Sequence, residues 1–256
     1  METNLITLSN DLITASYTLS LPERRLIYLF LAVLDNRINY VRVIGKEELT
    51  LADNLTPIDP NKYYTLSVSL YAEFWKLSNF EARREIKQVA EALFNRVATL
   101  QIGGREYRTR WITADNLYNE TKDELQLCWA PKIIPYISEL RANFTSIRMR
   151  WIRELSTGYS MRIYEYLSML LSRCRKKSLI TSIILEDLKV MLELRDKYQK
   201  TNHLLTRVLW PAIEEISKRT NIKITCVDNT GKYMYVKEGK SIVGVKLGIE
   251  WKVLKV

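Results

Sequence analysis

The 256-residue sequence predicts an α+β chain in which one plan, three helices followed by strands, is written twice. Three observations predict it. IYLFLAVL (Ile27 to Leu34) and IYEYLSML (Ile163 to Leu170) repeat at an offset of 136 residues, and each opens a helical apolar pattern. EIKQVAEALFNRVATLQI (Glu85 to Ile102) and RVLWPAIEEISKRTNIKI (Arg207 to Ile224) repeat in the same order at an offset of 122. Ile86, Ala90, Phe94, Leu100 and Ile102 then fall on Val208, Ala212, Ile216, Ile222 and Ile224. Third, each of these later helices runs directly into segments of period-two alternation.

In the first copy, Ser20-Leu-Pro-Glu23 has the spacing of a capping box with proline in the first turn, and launches a helix to about Asp35. A short helix near Leu70 to Leu77 follows, then a longer one from Phe80 to Arg96. ATLQI, YRTRWIT and ELQLCW read as strands, the first two joined through Gly103-Gly104. In the second copy the helices are expected at Ser160 to Arg173, Leu185 to Leu194 and Asn202 to Arg219. IKITCV, KYMYVK and IVGVKLGIEW follow as a hairpin and an edge. Three helices with a β-ribbon after the third describe a winged helix, a helix-turn-helix variant whose third helix enters the DNA major groove. The sequence therefore predicts two tandem winged-helix domains related by internal duplication. Their boundary is expected near Leu140 to Ser146, giving domains 1–142 and 143–256.

Charge separates the copies. Of the net +10, residues 1–142 carry 17 Lys+Arg against 18 Asp+Glu, and residues 143–256 carry 22 against 11. A basic excess confined to one half suggests a polyanionic partner, with nucleic acid leading. The three cysteines Cys128, Cys174 and Cys226 form no CxxC pair and read as reduced thiols. No apolar run of ~18 residues occurs, and METNLITLSND lacks a basic n-region, so a cytoplasmic protein without a membrane partner is expected.

NLITLSNDLITASYTLSLPERRLIYLFLAVL, WIRELSTGYSMRIYEYL and LTRVLWPAIEEISKRT together resemble the replication initiator proteins of iteron-bearing plasmids, the RepA/RepE type, from about Asn4 to Glu250. The resemblance implies two winged-helix domains that bind double-stranded DNA carrying iteron repeats at a plasmid origin and promote its opening. It further implies repression of the protein's own promoter as a dimer, exchange between monomer and dimer, and recruitment of the host replication initiator and replicative helicase, with chaperones as further partners. A stand-alone winged-helix transcriptional repressor shares every fold feature and is the alternative. Catalysis finds no support: there is no GxxxxGK[ST] loop, and His203 is the only histidine, which disfavours a His-rich metal nuclease. No cofactor or metal is expected.

The stretch QKTNHLLTRVLWPAIEEISKRT is the candidate reading helix. On a strict α-helical wheel, Leu205, Val208, Leu209, Ala212, Ile213 and Ile216 share one face, opposite Lys200, His203, Arg207, Trp210, Glu214 and Lys218. Cations at a helix start oppose the helix dipole, unless phosphate lies against that end. Arg207 is therefore expected to meet a base, bidentate to guanine. Lys200 is expected to meet phosphate, with Asn202, His203 and Thr206 completing the contact set. Pro211 denies its amide to the carbonyl of Arg207, which predicts a kink. In the wing, Lys232, Lys237 and Lys240 could reach phosphates. In the first domain, Arg83, Arg84 and Lys87 are candidates for weaker contact, because Glu81, Glu85 and Glu91 surround them. The cluster RCRKK, Arg173 to Lys177, reads equally as a helix end whose dipole favours cations.

Leu12, Leu19, Leu26 and Val33 form a heptad series, but the capping box and Pro22 interrupt any continuous helix, so these residues read as core. Dimerisation is expected to use the first domain's strands and helix faces. Residues 143–256 alone are expected to retain specific binding, weakened but salt-dependent, and residues 1–142 to bind poorly.

Overall fold

A computed structural model of the chain describes residues 5–33, 58–102, 104–113, 117–138, 140, 142–174, 177–226, 228 and 234–252. Two compact units emerge. The first combines Met1–Leu12 with Leu19–Arg153, and the second combines Ile13–Thr18 with Glu154–Val256. The division falls after Arg153, later than the Leu140 to Ser146 boundary and the ranges 1–142 and 143–256 read from the sequence. The cause is a strand pair: Leu5–Ser9 (β1) runs antiparallel to Phe144–Arg148 (β7), from Leu5 opposite Arg148 to Ser9 opposite Phe144. Asn10 N–H also donates to the Asn143 carbonyl at 2.7 Å. Arg148, Arg150 and Arg153 thus join the first unit, which carries 20 Lys+Arg against 18 Asp+Glu, while the second carries 19 against 11.

After β1 and the short α1 (Asn10–Thr14), the first unit continues with α2 (Leu21–Val33), β2 (Tyr64–Ser67), α3 (Val68–Trp75) and α4 (Asn79–Phe94). Then come β3 (Val97–Ile102), β4 (Arg105–Arg110), β5 (Leu117–Asn119), β6 (Glu124–Leu127), α5 (Ile134–Ile137), β7 and α6 (Met149–Arg153). The capping box forms as spaced: Ser20 N–H donates to Glu23 Oε2 at 2.5 Å, and Glu23 N–H to Ser20 Oγ at 3.4 Å. Glu23 is 1% exposed, and its second oxygen accepts from Arg96 Nε at 2.8 Å. Glu23→Gln is expected to destabilise the first unit by about 1–3 kcal/mol, since a charge-assisted bond and half of the cap weaken together. A denaturant titration that shows an unchanged midpoint would count against that role.

The end of α2 beyond Val33 lies outside the described residues. Leu12, Leu19 and Leu26 are buried, Val33 is 40% exposed, and residues 15–20 between α1 and α2 are not helical. No helix runs through the heptad series. Between α3 and α4 the turn is set by Lys76, left-handed at φ 57°, and by a second capping box of Ser78 with Glu81. β3 and β4 pair as a hairpin, with Gly104 at φ 77° in its turn. β2, β6 and β5 form a separate three-stranded sheet.

The second unit has α7 (Gly158–Cys174), β8 (Ser178–Ile184), α8 (Leu185–Met191), then α9 (Thr201–Leu204), a π-helical turn (Leu205–Leu209) and α10 (Trp210–Arg219). β9 (Ile222–Thr225), β10 (Tyr235–Glu238) and β11 (Ser241–Trp251) follow. The expected hairpin is the β10–β11 pair, from Tyr235 opposite Val245 to Glu238 opposite Ser241. β9 and β10 both pair antiparallel with one side of β11, and β8 takes the other side. Eleven residues make β11 long enough to serve both. Met234 N–H donates to the Cys226 carbonyl at 3.0 Å. β10 returns into β11 through Gly239 at φ 59°, and the close approach of the Ile183 carbonyl, 2.9 Å from where a Cβ would stand, holds position 244 to glycine.

A strap from the chain's beginning completes this unit's core. Arg162 of α7 is 1% exposed, its guanidinium lies 4.0 Å from the centre of the Tyr17 ring, and its Nη1 donates to Tyr17 Oη at 2.8 Å. Nη2 donates to the Ala15 carbonyl at 2.7 Å, and Glu165, fully buried, accepts from Nη1 at 3.2 Å. Ser16 Oγ donates to the Val190 carbonyl at 2.9 Å, and Thr18 Oγ1 to that of Leu192 at 3.3 Å. No helix among the described residues is long and apolar enough to cross a membrane. All three cysteines are free thiols.

Candidate nucleic-acid interface

The reading helix begins at Thr201, with Lys200 as its N-cap residue in extended conformation. Proline is absorbed without a break. Pro211 has no amide to give the Arg207 carbonyl, and the backbone widens into the π turn, where Trp210 N–H bonds the Leu205 carbonyl. The π turn shifts the phase of the turns before it. On an unbroken wheel measured from Leu209, Asn202 would lie ~20° away and Leu204 ~140° away. In the structure Leu204 is fully buried and Asn202 exposed. Leu204, Leu205, Val208, Leu209, Ala212, Ile213 and Ile216 form the inner face. Asn202, His203, Thr206 and Arg207 lie exposed together, continued by Pro211, Glu214 and Lys218.

The two halves of the helix are held differently. Downstream of the π turn, polar ties are dense. Glu215 Oε1 accepts from Ser156 N–H at 2.9 Å and from its hydroxyl at 2.6 Å, and Arg219 donates to the Glu154 carbonyl at 3.2 Å. Lys252 donates to the Ser217 and Thr220 carbonyls at 2.5 and 2.7 Å, a cation at a helix C-terminus whose ammonium burial pulls below its ordinary pKa. Upstream, the Thr206 hydroxyl bonds back to the Asn202 carbonyl at 2.8 Å, and packing of the inner leucines and Val208 supplies the anchorage. Among the described residues, Lys200, His203 and Arg207 take part in no ion pair. Arg207 stands on the wall of a shallow groove of about 330 Å³ between the start of α7 and the helix, with Lys218 and Arg219.

Trp210 leaves the exposed stripe and turns to the wing. Its ring meets Tyr235 of β10 at 6.5 Å between centroids, tilted by 54°. Lys237 and Lys240 are exposed at the β10–β11 turn, whereas Lys232 lies outside the described residues. Arg175 and Lys176 of the RCRKK cluster are outside them too. Trp210→Ala is expected to cost about 3–5 kcal/mol or less, since the ring is only part-buried, and to loosen the wing. Amide exchange in β10 should rise, and unchanged protection there would break the link.

On α4 of the first unit, Arg83, Arg84 and Lys87 are also brought to one exposed face, but two of them are engaged. Asp123 holds Arg83 in a two-point pair at 2.9 and 2.6 Å, and also accepts from Tyr118 Oη. Glu120 holds Lys87 at 2.6 Å, and Lys87 lies 4.6 Å from the centre of the Tyr118 ring. The Arg83 guanidinium, then the Tyr118 hydroxyl, keep the Asp123 carboxyl down at about 2. Because that value is depressed in the folded state, the pair is present throughout the neutral range. It is lost only as pH falls from the ordinary aspartate range towards 2. Arg84 is exposed and in no ion pair among the described residues. Sequence reading flagged the flanking Glu81, Glu85 and Glu91 and missed Asp123 and Glu120, which arrive from the β5–β6 hairpin far along the chain. Glu85 turns away, to Arg25 and the Tyr71 hydroxyl.

A three-helix unit with a strand-borne wing, present twice, defines a double winged-helix protein. The chain belongs to the initiator replication protein family: "Initiator Replication protein, WH1" matches residues 5–168, and "Initiator Rep protein, WH2" matches residues 184–249. It is 23% identical over 227 residues to a "Replication initiation protein" of Escherichia coli, across 88% of this chain, and spans 65% of that relative's length. The crystal structure of Pi initiator protein in complex with iteron DNA shares the fold, with TM-score 0.73 and 22% identity over 98% of this chain and 99% of that one.

Proposed function

We propose that this chain initiates replication of a plasmid by binding direct repeats at its origin, chiefly through the second unit. The carrying observation is the reading helix. The π turn places Asn202, His203, Thr206 and Arg207 on one open face with, among the described residues, no carboxylate paired to the cations, on a unit with an excess of eight positive charges. Lys200 at the helix start and Lys237 and Lys240 on the wing flank that face, where phosphates would lie. Family membership supports the reading, and so does the iteron DNA bound by the structurally similar Pi initiator. Origin opening, recruitment of the host initiator and replicative helicase, chaperone handling and repression of its own promoter as a dimer belong to this reading. The first unit supplies self-association and a weaker DNA contact. The role is non-catalytic.

Selection of bound sequences from a random duplex pool, followed by footprinting, tests it. The expected result is one enriched motif that recurs as direct repeats upstream of the gene, on a fragment that sustains replication when it is the only replicon. Absence of enrichment overturns DNA recognition. Enrichment on a fragment that cannot replicate leaves a plain repressor, and sequence-specific nicking with Mg²⁺ overturns the non-catalytic role.

A further inference from the structure

We infer that Asp123 and Glu120 set how strongly the first unit contacts DNA, by occupying the α4 cations Arg83 and Lys87. The inference rests on the proposed DNA-binding role and specifies how one of its two contact surfaces is tuned.

The two third helices, α4 and the reading helix, occupy matching places in the duplicated plan, yet their exposed cations differ in one respect. Those of the reading helix have no carboxylate partner among the described residues, whereas Arg83 and Lys87 each have one at 2.6 Å. Both carboxylates come from a single element, the β5–β6 hairpin, with Asp123 in a left-handed turn position at φ 54°. Tyr118 on the same hairpin ties them together, its hydroxyl on Asp123 and its ring beneath Lys87. These groups are not buried: Arg83 is 44% exposed, Lys87 43% and Glu120 78%.

A phosphate approaching this face meets paired charges. At physiological salt the screening length is ~8 Å, several times the pair separation, so each pair presents no net charge to a ligand outside it. To engage Arg83 a phosphate must replace a two-point carboxylate, the strongest geometry an arginine makes. The hairpin therefore holds in place the acceptor geometry that DNA would offer. Neutralising the two carboxylates removes the competitor while leaving the cations and the tyrosine where they are.

The test uses the full chain carrying Asp123→Asn and Glu120→Gln together, with a random-sequence duplex and the selected repeat as probes, by anisotropy over a salt series. Two freed cations should tighten random-duplex binding by roughly tenfold at low salt and steepen the salt slope by about two. Adding Arg83→Gln and Lys87→Gln to that background should abolish the gain. Glu73→Gln with Glu106→Gln, two exposed carboxylates of the same unit outside the pairs, adds the same net charge and should raise affinity much less. An equal gain in that control overturns the inference, as does unchanged or weaker binding in the Asp123/Glu120 variant with an unchanged melting transition. Failure of the unaltered chain to bind any duplex overturns the DNA-binding reading itself. Binding intact with no gain overturns only the tuning.

Discussion

Expressed alone, residues 154–256 should fail to hold a folded second unit. The fragment lacks Ile13–Thr18, and with them the Tyr17 ring against Arg162, the Tyr17 hydroxyl and the Ala15 carbonyl that take two of its guanidinium bonds, and the Ser16 and Thr18 ties to the end of α8. Arg162 keeps its bonds to Glu165 and, at 3.4 Å, to the Met191 carbonyl, but in a site 1% exposed it loses the other two. Breaking a buried ion network costs about 3–5 kcal/mol, and loss of a buried tyrosine a comparable amount. A domain has only ~5–15 kcal/mol to lose. This reverses the sequence-based expectation that residues 143–256 bind DNA unaided. In the full chain, Tyr17→Ala should lower the second unit's stability by about 3–5 kcal/mol and Tyr17→Phe by about 1–2. Denaturant titration of fragment and variants checks it. A cooperative transition in the fragment, at the full chain's midpoint, would show that the strap is dispensable.

Arg207→Ala should cost roughly 1–3 kcal/mol for the selected repeat and little for random DNA, flattening preference at one base pair. The side chain is exposed, is held by no carboxylate among the described residues, and is borne on the more lightly tied part of the helix. Lys200→Ala should act differently, weakening selected and random DNA alike and reducing the salt slope by about one. Anisotropy against single-base variants of the repeat separates them. Were Arg207→Ala to weaken all sequences equally, the helix would be a backbone anchor, and base readout would lie elsewhere.

Much of the local structure was legible because it depends on neighbours in sequence. The capping box at Ser20, the helix from near Phe80, the Gly103-Gly104 hairpin and the strand of IVGVKLGIEW all follow from short-range periodicity and turn chemistry. What escaped is set by distant partners. β1, β7 and β8 are short apolar segments whose pairing no local pattern specifies. The carboxylates on Arg83 and Lys87 come from 40 and 33 residues away. The reading helix shows the subtler loss. Pro211 announced a disturbance, but an ideal wheel has no place for a π turn, so it could not show that Leu204 belongs to the buried face. Arg207 was placed on the exposed face because it stands close enough to Leu209 for the phase to hold.

The strap also sets an order in time. Synthesis delivers Tyr17 long before Arg162, and the last strand of the second unit, ending at Trp251, arrives later still. At ~5–20 residues per second the strap waits roughly 10–50 s for its site to exist. The first unit has every segment it needs once Arg153 has emerged. Its folding can therefore begin before that of the second, and if it does the strap must stay available on a nascent chain whose neighbouring residues, Leu12 and Leu19, are already committed elsewhere.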